Sequence, residues 1–373
     1  MYEAQGYSAK SVYEGLLKTF HQYLRAQYHI WDETLIAERD RLLSTPGVTH
    51  QEPRIESTPL YAEGLPYSKL NIPPAAAQIL EMASASRKTG VPQVPYVHQA
   101  QAIEAFLKDG CELIVATGTG SGKTESFLMP ILGALAIEGA ARPESWKKPG
   151  VRALLIYPMN ALVNDQVARL RRLLGNAQVA NQLRASRTHM ATFGMYTSRT
   201  PYPGKRTPAN DRDKVGAVFT RQFKDGITTE IKDRLIKEGK WPAKDIERFL
   251  VSAYQTANDD CELVTRQEMQ VRSPDVLVTN YSMLEYMMLR PIEASIFDQT
   301  RHGWSKTRKT SSWWCLTKRT CTVAPPVRRW HTFCVGFIRV WTFRATEFVT
   351  SLPAQAWEAT LVPRRRSKSL LRS

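Results

Sequence analysis

Eight consecutive residues, Thr117-Gly118-Thr119-Gly120-Ser121-Gly122-Lys123-Thr124, have the types and order of a loop that holds phosphate. The three glycines let the backbone turn tightly and bring amide N–H groups against phosphate oxygens. A helix opening directly after such a loop adds the positive end of its dipole. In that setting Lys123 reaches the β- and γ-phosphates of a nucleoside triphosphate, and the Thr124 hydroxyl holds its Mg²⁺. Thr117 stands where the strict pattern has glycine, a small departure. A glycine-rich turn kept only for structure would not call for Lys-Thr at this spot.

The loop needs a strand before it and a helix after it. An apolar strand is expected over Glu112–Ala116 and a helix over Ser121–Ala136. Further on, Val151–Tyr157 reads as a buried strand followed by a helix over Ala161–Leu174. Asp275–Thr279 reads as a third strand, followed by a helix over Met283–Leu289. This strand–helix alternation predicts an α/β fold with a parallel sheet covered on both faces. Residues 1–84 are expected to be a helical accessory segment, with helices over Tyr13–Tyr28, Glu33–Leu43 and Ala75–Ala83. A Pro-containing break falls between the second and third. A charged insertion is expected over about 200–272, with helical stretches at Glu230–Glu238 and Ala243–Tyr254.

Three segments together resemble a superfamily-two helicase of the DEAD/DEAH-box kind, closest to large bacterial members whose loop reads Ala-Thr-Gly-Thr-Gly-Ser-Gly-Lys-Thr-Glu, here Ala116 to Glu125. Upstream of that loop, Pro95-Tyr96-Val97-His98-Gln99 matches the family's adenine-reading motif. The resemblance implies that Gln99 accepts and donates at the adenine edge, which a side-chain amide can do. The segment Tyr157 to Gln166 matches motif Ia, which holds the backbone of a bound nucleic-acid strand. By resemblance Pro158, Asn160 and Gln166 are contact residues, although a plain strand–Pro–helix turn reads much the same. The segment Pro274 to Leu284 matches the Thr-Asn-x-x-Met-Leu segment, implying strand contacts at Thr279 and Asn280. A weaker signal of the same kind lies at Gly194 or Thr197. The resemblance covers roughly Tyr13 to Arg301. It implies a RecA-like domain over 85–301 that binds ATP and Mg²⁺ and acts on DNA or RNA.

The acidic motif II that such a motor needs, Asp-Glu-x-His or Asp-Glu-x-Asp, is missing. Its Asp helps to hold Mg²⁺, and its Glu positions the attacking water. The chain's single Asp-Glu pair, Asp32-Glu33, lies far upstream, and nothing after Arg290 fits. No catalytic residue is therefore assigned, and a second RecA-like domain is not found. The nucleotides behind the tail offer a reason. Joining the third base of each codon to the first two of the next turns Trp313-Trp314-Cys315 into Val-Val without choice. The following junctions, to Thr320, permit Leu-Asp-Glu-Ala-His. Leu352 to Trp357 permit Thr-Ser-Ala-Ser-Leu-Gly, similar to motif III. Residues His302–Trp304 permit Trp-Leu-Glu, which puts the slip near Arg301.

Charge agrees with a change of character there. The net charge of +16 is concentrated in the tail. Residues 303–373 hold 14 Lys/Arg against 2 Asp/Glu, leaving only +4 in the first 302. The same tail has 6 of the 9 Trp and 3 of the 5 Cys. Disordered basic tails are poor in both. The segment 302–373 is expected to be irregular, disordered and out of frame. No apolar run of membrane-spanning length and no secretory signal are visible, and the cysteines form neither a disulfide framework nor a metal set. A cytoplasmic, ATP-binding but catalytically crippled front part of a helicase or translocase is the reading. The other reading is a non-catalytic nucleotide- or nucleic-acid-binding adaptor with a functional basic tail. A phosphate-loop kinase ranks third, because motif Ia and the Thr-Asn segment have no role in one.

Overall fold

In the computed structural model the chain is described over residues 8–304, except 46, 52–59, 116, 118–119, 186, 203 and 205–206, and again at 313–316 and 361–362. It divides into two units, Met1–Leu60 and Tyr61–Ser373. The first holds α1 (Ala9–Gln27) and α2 (Glu33–Leu43). Each is capped at its N-terminus by a side chain accepting from backbone amides, Ser8 for α1 and Asp32 for α2. Asp32 is thereby a cap.

The second unit begins with α3 (Pro74–Ala85) and α4 (Val97–Leu107), then β1 (Glu112–Leu113), α5 (Glu125–Ala141) and α6 (Pro143–Trp146). There follow β2 (Ala153–Tyr157), α7 (Asn160–Leu174), α8 (Ala177–Arg184) and β3 (Phe193–Tyr196). The insertion contributes α9 (Pro208–Asp211), α10 (Ala217–Phe223), α11 (Thr229–Lys237) and α12 (Ile246–Val251). Then come β4 (Glu262–Leu263), α13 (Arg266–Val271), β5 (Val276–Asn280), α14 (Tyr281–Leu289) and α15 (Ala294–Trp304). Last are β6 (Trp313–Leu316) and β7 (Leu361–Val362). Among the described residues no helix is long and apolar enough to cross a membrane.

Five strands form one parallel sheet in the order β4-β3-β5-β2-β6. In β2 and β5 alternate residues serve opposite faces. Ala153, Leu155, Val276 and Val278 join a core with α3, α4, α5, α7 and α8. Leu154, Ile156 and Leu277 join a second core with Met283, Leu284 and Met287 of α14 and Ile296 and Phe297 of α15. Burial on both faces explains why these strands are apolar without alternation. The α/β class and the parallel sheet expected from the sequence are what the structure has.

Four expectations change. The helix at 74–85 packs in the main core through Ile79, Leu80 and Ala83, so it belongs to the second unit rather than to an accessory segment ending at 84. The expected strand 112–116 is reduced to Glu112–Leu113 and pairs antiparallel with β7, outside the parallel sheet. Its continuation does not pair: Ile114 is exposed, and residue 116 lies outside the described residues. The insertion returns to the sheet before residue 272, because β4 pairs in parallel with β3. The remainder folds around its own small core of Val215, Phe219, Ile246, Phe249 and Val264. Finally, β3 was not expected as a strand. Its Gly194 leaves room for Met269, whose sulfur would lie 2.4 Å from an added Cβ. Most of the tail expectation falls outside the described residues.

The N-terminal edge of the sheet is closed by buried charges. Arg152 precedes β2 and Asp275 precedes β5, and their side chains are about 4% exposed. Arg152 donates to Asp275 (2.8 Å), Glu138 (3.1 Å) and the carbonyls of Ser145, Lys148 and Gly150. Arg187 grips both oxygens of Asp275 at 2.7 and 2.8 Å and stacks 3.4 Å above the Trp146 ring. The Thr192 amide also donates to Asp275. Burial pushes the Asp275 carboxyl up, but the two guanidinium groups and their hydrogen bonds outweigh it and hold it down at about 2.

Candidate functional site

The opposite, C-terminal edge of the sheet is where ligands bind in open α/β folds. Here the sequence gives short loops running into helices. Asn160 opens α7 directly after β2, and Asn280 caps α14 directly after β5, accepting from the Met283 amide at 2.7 Å. The two asparagines meet: Asn280 Nδ2 donates to Asn160 Oδ1 at 2.6 Å. Both are partly buried, and Pro158 beside them is exposed. This pair presents polar groups at a helix start, the kind of place that contacts a phosphate backbone.

The phosphate loop sits at the start of α5, which begins at Glu125 rather than at Ser121. Gly118 and Thr119 lie outside the described residues. Thr117 and Ser121 hydroxyls bond each other at 2.6 Å. Gly120 and Gly122 have φ of +81° and +68°, which side-chain-bearing residues rarely adopt. Lys123 is exposed, and the Thr124 hydroxyl makes no capping bond to α5. An exposed cation, a hydroxyl that does not cap its helix and two left-handed glycines fit a loop that wraps a triphosphate. Among the described residues no group of three or more His, Cys, Asp or Glu side chains could hold a metal by themselves.

Two neighbours on α4 brace the loop. His98 Nε2 donates to the Ser121 carbonyl at 3.0 Å; a carbonyl only accepts, so this ring nitrogen carries the proton. Gln99 is 1% exposed; its Nε2 donates to the Gly122 carbonyl at 2.9 Å and its Oε1 accepts from the Tyr96 amide at 2.8 Å. Both ends of the amide are thus engaged within the protein, where the sequence reading had them facing adenine. The physical reason is that a buried amide takes the nearest backbone partners. Thr279 and Gln166, expected to touch nucleic acid, also turn inward. Thr279 is fully buried and donates to the Tyr196 carbonyl at 2.6 Å, tying β5 to β3. Gln166 is 5% exposed and donates to Asp165.

Sequence reasoning missed two features. Tyr61, Tyr96 and His98 form an aromatic trio with ring centroids 5.4 to 5.8 Å apart, next to Gln99. Tyr96 and His98 were in plain view beside Gln99. Tyr61 is far away in sequence and is brought in by backbone bonds of Ala62 and Gly64 to Val97 and Pro95. The second is an ion pair at 2.7 Å between Glu125, next to the loop, and Arg169 on α7. An Arg on a helix gives no signal of its partner 44 residues away.

Parts of this chain are similar to known proteins. The profile of the DEAD/DEAH box helicase family matches residues 96–194, a span that holds α4, the phosphate loop, β2 and α7. The Druantia protein DruE of Escherichia coli (strain UMEA 4076-1) is 47% identical over 326 residues, covering 80% of this chain and 17% of DruE. The chain thus spans about a sixth of that relative's length. Crystal structures of the DUF1998 helicase MrfA are also similar. One is bound to DNA (17% identity, TM-score 0.32), the other to DNA and AMPPNP (16% identity, TM-score 0.33). Each comparison covers 72% of this chain and 25% of MrfA. Residues 96–194 of this chain are thus similar to the DEAD/DEAH box helicases.

Proposed function

We propose that the chain is the ATP-binding front part of a nucleic-acid motor, whose phosphate loop takes ATP with Mg²⁺ while Pro158, Asn160 and Asn280 meet the strand. The observation that carries this is the loop itself: Gly120 and Gly122 at positive φ, braced by His98 and Gln99 from behind, with Lys123 and the Thr124 hydroxyl left to the ligand. When bound, ATP with Mg²⁺ supplies the free energy of phosphoryl transfer. Lys123 holds phosphate charge, and the loop amides orient it. No acidic pair stands at the C-terminal ends of the described strands, so ATP turnover by this chain is negligible.

In a parent protein the carboxylates would come from the other reading frame, entered near Arg301. Several facts support this. The forced Val-Val and the permitted Leu-Asp-Glu-Ala-His fall at 313–320. The backbone of Trp313–Leu316 is the parallel neighbour of β2, in register from Ala153↔Trp313 to Ile156↔Leu316. An Asp read across residues 316 and 317 would then follow the strand that neighbours β2.

The test has two parts. In a titration of the full chain with a fluorescent ATP analogue and Mg²⁺, Lys123→Ala abolishes binding; equal binding by both proteins overturns the ATP site. The nucleotide sequence of codons 301–320 decides the frame: bases that do not spell Asp-Glu-Ala-His in the shifted frame end that part. A frame-corrected protein should hydrolyse ATP when nucleic acid is added, and lose that activity when the restored Glu becomes Gln.

A further inference from the structure

Glu125 is placed where a carboxylate is awkward. It follows Lys123-Thr124 directly, so its charge stands beside the bed of a polyphosphate. As the first residue of α5 it gains from the helix dipole, but any acid in that first turn would. Its two oxygens have specific positions. Oε1 accepts from Arg169 Nη1 at 2.7 Å, with Glu125 16% and Arg169 35% exposed. Oε2 lies against the loop: a Cβ added at Gly122 would fall 3.1 Å from it and 2.4 Å from Gln99 Nε2. Gly122 therefore has both Gln99 of α4 and the Glu125 carboxylate close by, and that carboxylate is held from α7.

Arg169 lies on the same helix that begins at Asn160. The distance between the two along α7 is about 14 Å at the helical rise per residue. A continuous path thus runs from Gly122 to Glu125, across to Arg169, along α7 to Asn160, and on to Asn280. Each step is an ion pair, a hydrogen bond or a rigid helix. Arg169 is steadied on its own helix by Asp165, 3.6 Å away. A helix–helix ion pair of this exposure contributes no more than about 1 kcal/mol to stability. Its position between the two ligand sites is what sets it apart.

We propose that the Glu125–Arg169 pair is the positioning element that couples nucleotide at the phosphate loop to nucleic acid at the start of α7. With the pair made, the loop conformation around Gly122 and the placement of Asn160 are selected together, so each ligand favours the arrangement the other needs. Coupling of this kind is reciprocal. Loss of Arg169 would leave the Glu125 charge uncompensated beside the phosphates and cut α7 free of the loop. This inference rests on the nucleotide and strand sites proposed above.

The experiment uses the full 373-residue chain, a non-hydrolysable fluorescent ATP analogue with Mg²⁺, and oligodeoxythymidine or oligouridine. Nucleotide affinity is measured with and without the oligonucleotide. The wild type should bind nucleotide about tenfold more tightly with the strand present, within the usual range of coupling between sites. In Arg169→Gln that ratio should fall towards one while the strand alone still binds. The charge swap Glu125→Arg with Arg169→Glu should restore part of it. A merely structural pair would shift the unfolding midpoint and leave the ratio intact. A ratio unchanged in Arg169→Gln, or no coupling in a wild type that binds both ligands, overturns the inference. A wild type that binds neither ligand overturns the function proposed above instead.

Discussion

The two ends of the same strands are built in opposite ways. Where β2 and β5 begin, Arg152, Arg187, Asp275 and Glu138 are almost fully buried and closed on one another. Where they end, Asn160, Asn280 and the exposed Pro158 face the loops, and Lys123 is exposed on the phosphate loop. Both ends are polar, but charge at the first end is spent on neighbours and at the second is left for a ligand. The contrast teaches that polarity at a sheet edge marks a site only where the partners are incomplete. A buried network with every arm satisfied fixes strand register and offers nothing to a ligand.

The largest effect should come from breaking the closed end. Asp275→Ala leaves two buried guanidinium groups facing each other and should cost about 3–5 kcal/mol in urea unfolding. A loss below 1 kcal/mol would mean that the cluster is not closed as described. Acid should reach the same end more gently. The Asp275 carboxyl is held at about 2, below its ordinary 3.8, so its contribution is complete above about pH 4 and disappears as pH falls towards 2. The gap corresponds to stability on the order of 2 kcal/mol. An Asp275→Asn protein should lack this part of the acid dependence, which unfolding curves over that range would read.

At the open end the effects should be smaller on stability and larger on binding. Gly122→Ala forces a side chain into φ +68° and against Gln99, at about 1–2 kcal/mol. Nucleotide titration should show the loss more strongly than thermal unfolding does. Lys123→Ala should change stability by less than about 0.5 kcal/mol, because the side chain is exposed. If Lys123→Ala unfolds the protein as Asp275→Ala does, the distinction between the two ends fails.

The phosphate loop was legible because its chemistry is local: glycines that turn, then Lys and Thr at the start of a helix. The strands β2 and β5 were legible because burial on both faces demands an unbroken apolar run. The burial of Thr279 and Gln166 was not legible, because a polar residue at a strand end or helix turn looks the same in sequence whether it faces solvent or the core. Gln99 was found, but its partners, the Gly122 carbonyl and the Tyr96 amide, depend on how α4 meets the loop. The first strand was expected at full length from its composition. Pairing is a property of neighbours, however, and the described residues give β1 only β7.

The sequence by itself determined the loop, the parallel α/β class and the break in character near Arg301, since each follows from residue type and short spacing. Tertiary structure alone decided that Arg152, Arg187, Glu138 and Asp275 seal one edge, that Tyr61 reaches His98, and that Arg169 holds Glu125. These contacts join residues tens of positions apart. Their energies depend on distance and burial, which a chain acquires only when its strands and helices have packed.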